Sequence, residues 1–84
     1  MKITEVVANV LKADPASITM ESNAQNTPRW DSLRHIELVL AVESAFNVQF
    51  SIPEIVSMQK LGDIVDLLVA KGASVSEAQD RVAA

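Results

Sequence analysis

The sequence predicts an all-α domain: a bundle of three main helices and one short helix, with a long loop between the first and second helices. Apolar residues recur at helical spacing in three separate segments. The 84 residues include two glycines and no tyrosine, and no segment alternates apolar and polar residues as a strand does. With 49% hydrophobic residues and no cysteine, the domain must be stabilised by apolar packing.

The net charge of the chain limits the classes of partner that it can bind. A net charge of −4 argues against a nucleic-acid backbone or an anionic membrane and favours a basic protein surface. No apolar run approaches the ~20 residues of a membrane span, and the first residues lack the apolar run of a signal peptide. We therefore expect a cytoplasmic protein. We also expect it to be a monomer.

The first predicted helix covers residues 3 to about 12 and ends at Asp14-Pro15, because the residue before a proline avoids the helical region. Its apolar stripe comprises Ile3, Val6, Val7, Val10 and Leu11. The polar stretch that follows, up to Asp31, is a long loop with Ile18 and Met20 as its expected anchors in the core. Loops of this length in small domains are usually functional or disordered.

The second predicted helix, from about Ser32 to Phe46, carries two apolar faces when it is projected at about 100° per residue. One stripe is expected in the core and comprises Leu38, Val39, Val42, Ala45 and Phe46. The other strip, interleaved with Glu37, Glu43 and Ser44, comprises Leu33, Ile36 and Leu40. Either the helix is buried nearly all round, or this second strip is exposed to bind a partner, which is the interpretation that we favour.

The rest of the chain adds one short and one longer helix. Val48 and Phe50 lie in a short extended link and are expected to point inward. The segment Ser51-Ile52-Pro53-Glu54 then has the residues of a capping box, which predicts the start of the short helix. The last main helix has Asp63 and Asp66 outside and an apolar stripe of Leu61, Ile64, Val65, Leu68 and Val69. Lys71-Gly72 ends it. Residues 1–72 therefore form the domain, and residues 73–84 an accessory tail compatible with a short final helix.

Ser32 falls at the first turn of the second helix, directly after Asp31. Backbone N–H groups and the helix dipole favour a negative group there, so a phosphodiester on the Ser32 hydroxyl would lie in a favourable field. Asp31 either caps the helix or helps to bind a metal in the active site of a modifying enzyme. From the residues alone, a plain N-cap pair is the favoured interpretation of Asp31-Ser32.

No catalytic or metal site is predicted. The single histidine, His35, lies three residues after Ser32 and on a different side of the helix, which disfavours a Ser-His-Asp triad. A lone histidine near a helix start is usually solvated or packed. The sequence has no glycine-rich phosphate loop and no cluster with the spacing of metal ligands.

The motif Asp31-Ser32-Leu33, followed by Ile36-Glu37-Leu38-Val39 and Glu43-Ser44-Ala45-Phe46, resembles the acyl carrier protein family. The segments Phe50-x-Ile52-Pro53-x-x-Ile55 and Leu61-Gly62-Asp63-Ile64-Val65 fit the family as well, so the resemblance covers about residues 3–71. It implies that a phosphopantetheinyl transferase moves 4′-phosphopantetheine from coenzyme A onto Ser32, with Asp31 as part of the motif. The thiol of that group then carries an acyl or aminoacyl cargo as a thioester, and the domain itself catalyses nothing.

The resemblance also implies that loading and processing enzymes dock on the second helix, at Leu33, Arg34, Ile36, Glu37, Leu40 and Glu43. Carriers of fatty acid synthesis usually have an acid where Arg34 stands and a dense acidic run that Ser44-Ala45 interrupt here. A tryptophan before the motif, as at Trp30, resembles the pattern of discrete carriers from specialised polyketide or aminoacyl pathways. Trp30 suits a hydrophobic staple equally well. We therefore expect a carrier of a specialised pathway. The alternative is a helical interaction module that kept the carrier fold without the cofactor.

Overall fold

The computed structural model describes residues 2–73 and residue 75. Its helices are α1 (Ile3–Leu11), α2 (Ser32–Phe46), α3 (Ile52–Ser57) and α4 (Leu61–Ala70), with a 3-10 turn at Pro15–Ser17. No strand occurs in the described part of the chain, so the predicted all-α fold of three main helices and one short helix is confirmed. None of the described helices is long and apolar enough to cross a membrane.

A single apolar core lies between α1, α2 and α4. Its fully buried side chains are Ile3, Val7, Leu11, Leu38, Val42, Leu61, Ile64, Val65 and Leu68. Most of the predicted stripe residues belong to this core, while Val6, Val10 and Phe46 pack against it and are only partly buried. The helical periodicity therefore identified the three core-facing surfaces.

One core prediction was wrong: Val69 is half exposed. On a helical projection it lies about 80° from Leu61, at the margin of the arc that Ile64, Val65 and Leu68 occupy. A residue at the edge of a stripe is buried only if a neighbouring helix reaches it. Nothing in the periodicity of α4 tells whether one does.

Specific hydrogen bonds mark the ends of the helices where the sequence predicts them. Ser51 Oγ accepts a bond from the Glu54 N–H at 3.3 Å and Glu54 Oε1 accepts one from the Ser51 N–H at 2.8 Å, which completes the capping box of α3. At the end of α4, Gly72 adopts φ +85°, and the N–H groups of Gly72 and Ala73 donate to the carbonyls of Val69 and Leu68, each at 3.0 Å. This is a Schellman motif, which requires the left-handed conformation that glycine adopts without strain.

The long loop is held against the start of α4 by backbone hydrogen bonds. The N–H groups of Leu61 and Gly62 donate to the carbonyls of Ser22 and Met20, each at 2.9 Å. Ile18 is buried and Met20 packs on the core, so both predicted anchors are confirmed. These bonds satisfy N–H groups that the first turn of a helix leaves without an internal partner.

Asp63 was expected to face solvent, but it is half-buried and caps α4. Its Oδ2 accepts bonds from the N–H groups of Gln59 at 2.9 Å and Lys60 at 3.3 Å. A carboxylate in the first turn of a helix is also favoured by the dipole. The Asp63 carboxylate thus satisfies two backbone donors while it stays partly exposed to solvent.

Lys71 joins the end of α4 to α3. Its Nζ lies 3.0 Å from Glu54 Oε1 and 5.6 Å from the centre of the Phe50 ring. The backbone hydrogen bond from Ser51, followed by the bond from Lys71, holds the pKa of Glu54 below its ordinary value of 4.5. The ionised carboxylate therefore favours the folded state above pH 4.5, and this contribution is lost as the pH falls through the lowered pKa.

The tail is not wholly accessory, because Val75 is buried in the core. The chain leaves α4 through the turn at Gly72, and Val75 follows three residues later. The predicted final helix over residues 73–84 lies largely outside the described residues.

We expect Leu38→Ala to lower the free energy of unfolding by about 2–5 kcal/mol, because it removes a fully buried side chain from the core. Leu40→Ala is the matched control: the same substitution two residues later, at a side chain that is 59% exposed, should cost about 0.5 kcal/mol or less. Urea denaturation followed by circular dichroism measures both. Equal losses in the two variants would contradict the assignment of the two faces of α2.

Candidate functional site

The chain changes from buried to exposed over the three residues that lead into α2. Trp30 is buried, whereas Asp31 and Ser32 are exposed. Asp31 Oδ1 accepts a hydrogen bond from the Arg34 N–H at 2.8 Å, so Asp31 is the N-cap. Ser32 is the first residue of the helix itself. The chain is therefore anchored on one side of the cap and presents a hydroxyl to solvent on the other.

His35 connects this anchor to α3. The Trp30 indole Nε1–H donates to His35 Nδ1 at 3.2 Å, and the two rings stack with centroids 6.2 Å apart. Because the indole nitrogen only donates, Nδ1 must accept, and the imidazole proton is then on Nε2, which lies 3.2 Å from the Ile55 carbonyl oxygen. His35 is thus packed, and both ring nitrogens are bonded to residues other than Ser32.

The contact between Trp30 and His35 joins the residue before the cap to the fourth residue of the helix. That is the spacing of a hydrophobic staple, here made by two stacked rings. The staple interpretation of Trp30 is consistent with this geometry. The role of His35 was missed, although its place five residues after Trp30 was a signal in the sequence.

A second contact missed by sequence reasoning fixes the entry to this site. Arg29 adopts φ +73°, and its Nη1 donates to the Lys12 carbonyl at 3.1 Å, where Lys12 ends α1 at φ +53°. The guanidinium thus bonds a carbonyl at a helix C-terminus, which favours a cation. No short-range pattern predicts a bond across 17 residues.

The second apolar strip of α2, comprising Leu33, Ile36 and Leu40, is exposed. We call these three residues the exposed strip. Their exposed fractions are 67%, 49% and 59%, so α2 is not buried nearly all round, and that alternative is rejected. Ile52 and Val56 of α3 are exposed as well. Exposed apolar side chains in this number are typical of a surface that contacts a partner.

The charged residues expected on the docking face have two different environments. Arg34 Nη1 lies 3.0 Å from Glu37 Oε2, and both side chains are partly exposed. Glu43, by contrast, is half-buried, and its Oε2 accepts a hydrogen bond from the Phe50 N–H at 2.8 Å. Glu43 therefore has a structural role that the sequence did not predict: it satisfies a backbone donor in the link between α2 and α3.

A cleft of about 530 Å³ lies beside Ser32, between α2, α3 and the loop. Ser32 and His35 line it together with the apolar side chains of Ile36, Ile55, Val56 and Met58. Within the described residues, no three His, Cys, Asp or Glu side chains come together as a metal site would require. The cleft therefore offers apolar surface directly beside the Ser32 side chain.

Comparison with known proteins identifies the family. No family model matches the chain. However, an acyl carrier protein of Syntrophobacter fumaroxidans is 36% identical over 74 residues, which are 88% of this chain and 91% of that protein. The chain belongs to the acyl carrier protein family. A solved structure of a holo acyl carrier protein from Geobacter metallireducens superposes on the carrier with a TM-score of 0.74 at 29% identity, over 82% of this chain and 79% of that one.

Membership in the family confirms several predictions from the sequence. The carrier is not an enzyme, and its prosthetic group is 4′-phosphopantetheine. Its partners include a phosphopantetheinyl transferase and acyl-processing enzymes.

We expect His35→Phe to lower the free energy of unfolding of the carrier by about 1–2 kcal/mol. The substitution keeps a ring beside Trp30 but leaves the indole N–H and the Ile55 carbonyl without their partner. Urea denaturation followed by circular dichroism measures the loss, and the emission of Trp30, the only tryptophan, reports whether the indole becomes more exposed. An unchanged free energy of unfolding would show that the two bonds do not stabilise the fold.

Proposed function

We propose that the carrier holds 4′-phosphopantetheine on Ser32 and presents a thioester-bound cargo to the enzymes of a specialised biosynthetic pathway. The observation that carries this proposal is the position of Ser32, an exposed residue in the first turn of α2 beside an apolar cleft. A modifying enzyme can reach an exposed hydroxyl at a helix start without unfolding the helix.

The first turn of α2 suits a phosphodiester. The Asp31 side chain accepts a hydrogen bond from the Arg34 N–H, and the Asp31 carbonyl accepts one from the His35 N–H, both at 2.8 Å. The N–H groups of Ser32 and Leu33 are the remaining donors of the turn, since the first four N–H groups of a helix have no partner in the helix itself. Together with the helix dipole, they favour a negative group attached at this point.

The residues around Ser32 also fit the arm and the cargo that follow the phosphate. When bound, the group supplies a thiol, which the chain lacks because it has no cysteine. Ile36, Val56 and Met58 offer apolar surface in the cleft next to the attachment point. Partial shelter there would protect a thioester from water while leaving it close to an approaching enzyme.

The charge of α2 favours a specialised pathway over housekeeping fatty acid synthesis. An arginine stands two residues after Ser32, paired with Glu37, and Glu43 is occupied by the Phe50 N–H. The exposed face of α2 is therefore less acidic than the resemblance implies for the docking helix of fatty-acid-synthesis carriers. The monomeric state and the cytoplasmic location stay predictions.

Incubation with coenzyme A and a broad-specificity phosphopantetheinyl transferase should raise the intact mass of the wild-type carrier by one phosphopantetheine group. Ser32→Ala should gain no mass, because the attachment hydroxyl is absent; circular dichroism should show that its fold is intact. Wild type that stays unmodified while a control carrier is modified would overturn the proposal and favour the interaction module without a cofactor.

Ile36→Ala should lower kcat/KM for this modification about fivefold or more, because it removes apolar surface from the centre of the exposed strip. The melting temperature should be nearly unchanged, since Ile36 is half exposed. Val69→Ala is the control, at an apolar side chain with the same 49% exposure on α4. If Val69→Ala lowers kcat/KM as much as Ile36→Ala does, the exposed strip is not the docking surface.

A further inference from the structure

The exposed charges next to Ser32 differ from the charge of the molecule as a whole. The chain carries −4, yet a single carboxylate, Glu37, lies between the residues of the exposed strip, with the Arg34 guanidinium 3.0 Å away. Asp31 is the other acid next to Ser32, and one of its oxygens caps the helix. At about 0.1 M salt, fields are screened beyond about 10 Å, so an approaching surface senses Arg34 and Glu37 as a nearly neutral pair.

Arg34 retains hydrogen-bonding capacity in this pair. A guanidinium has five N–H donors in a planar fork, and a single nitrogen, Nη1, contacts Glu37. The side chain is 38% exposed, so part of the fork faces solvent beside the exposed strip. A second carboxylate can therefore bind Arg34 in the bidentate geometry that arginine favours.

We infer that Arg34 sets partner specificity: the enzymes that act on this carrier present an apolar face containing a carboxylate opposite Arg34, and not a face of lysines and arginines. This rests on the proposed function. A basic face would bring cations against the Arg34 guanidinium, and the carboxylate beside the exposed strip, Glu37, is already paired. A carboxylate in an apolar face would instead gain a charge-assisted bond to the free edge of the guanidinium.

Reversal of the charge at position 34 tests the inference without disturbing the fold. Arg34 is the third residue of α2 after the Asp31 cap, a position that favours glutamate because of the helix dipole. Arg34→Glu should therefore remain folded, as circular dichroism can verify. Lys2→Glu, at an exposed residue outside the exposed strip, is the matched control, since it changes the net charge by the same amount.

The probe is a phosphopantetheinyl transferase whose carrier-binding face is rich in lysine and arginine, with coenzyme A as the donor. We expect Arg34→Glu to raise kcat/KM about tenfold over wild type at low ionic strength, because a negatively charged surface that attracts the basic face replaces a nearly neutral ion pair. The gain should disappear near 1 M salt, where the screening length is about 3 Å. Lys2→Glu should leave kcat/KM close to that of wild type.

The second probe is a variant of this transferase in which one lysine or arginine of the carrier-binding face is replaced by glutamate. Its kcat/KM should be higher for the wild-type carrier than for Arg34→Glu. Equal kcat/KM for wild type and Arg34→Glu with both transferases would overturn the inference while the proposed function stands, because Ser32 would still gain mass. An equal gain from Lys2→Glu would also overturn it, since net charge would then explain the effect. If neither transferase modifies Ser32 in any variant, the proposed function and the inference both fail.

Discussion

Burial of Trp30 is the constraint on which the candidate site depends. An indole packed in the core needs a partner for its N–H, and His35, one helical turn after the cap, accepts that bond. The helix must then begin between these two residues, where Asp31 supplies the cap. Ser32 directly follows that cap and is exposed. The anchoring of one side chain thus determines the position of a hydroxyl two residues later.

The same arrangement explains how a short element is held beside the cleft. No residue of α3 is fully buried, and Ile55 packs against the core while only partly buried, so apolar packing alone does not fix this helix. Polar contacts also hold α3: His35 bonds the Ile55 carbonyl, and Lys71 forms an ion pair with the Glu54 carboxylate. Elements with few buried apolar contacts have low local stability. The wall of the cleft formed by α3 is therefore held by few buried apolar contacts.

Local patterns were sufficient for most of the fold. The capping box at Ser51, the glycine at position 72 and the cap at Asp31 depend on residues within a few positions of each other, and each was predictable. Val69, Asp63 and Glu43 were harder to place. The burial of Val69 depends on whether a neighbouring helix extends far enough to cover it. The carboxylates of Asp63 and Glu43 accept hydrogen bonds from backbone N–H groups in the segments that flank their helices. A hydropathy pattern distinguishes polar from apolar residues, but it cannot tell a solvated carboxylate from one that a backbone donor requires.

The sequence by itself determined the helices, their ends, the two faces of α2 and the serine that resembles an attachment site, because all of these follow from periodicity, caps and a short motif. The pair of Arg34 and Glu37 also follows from the sequence, because residues three apart are neighbours on one helix. Tertiary structure alone decided that the Glu43 carboxylate bonds the Phe50 N–H and is only partly exposed to a partner. That outcome depends on the distance between α2 and the link after it, which is set only once the chain has packed.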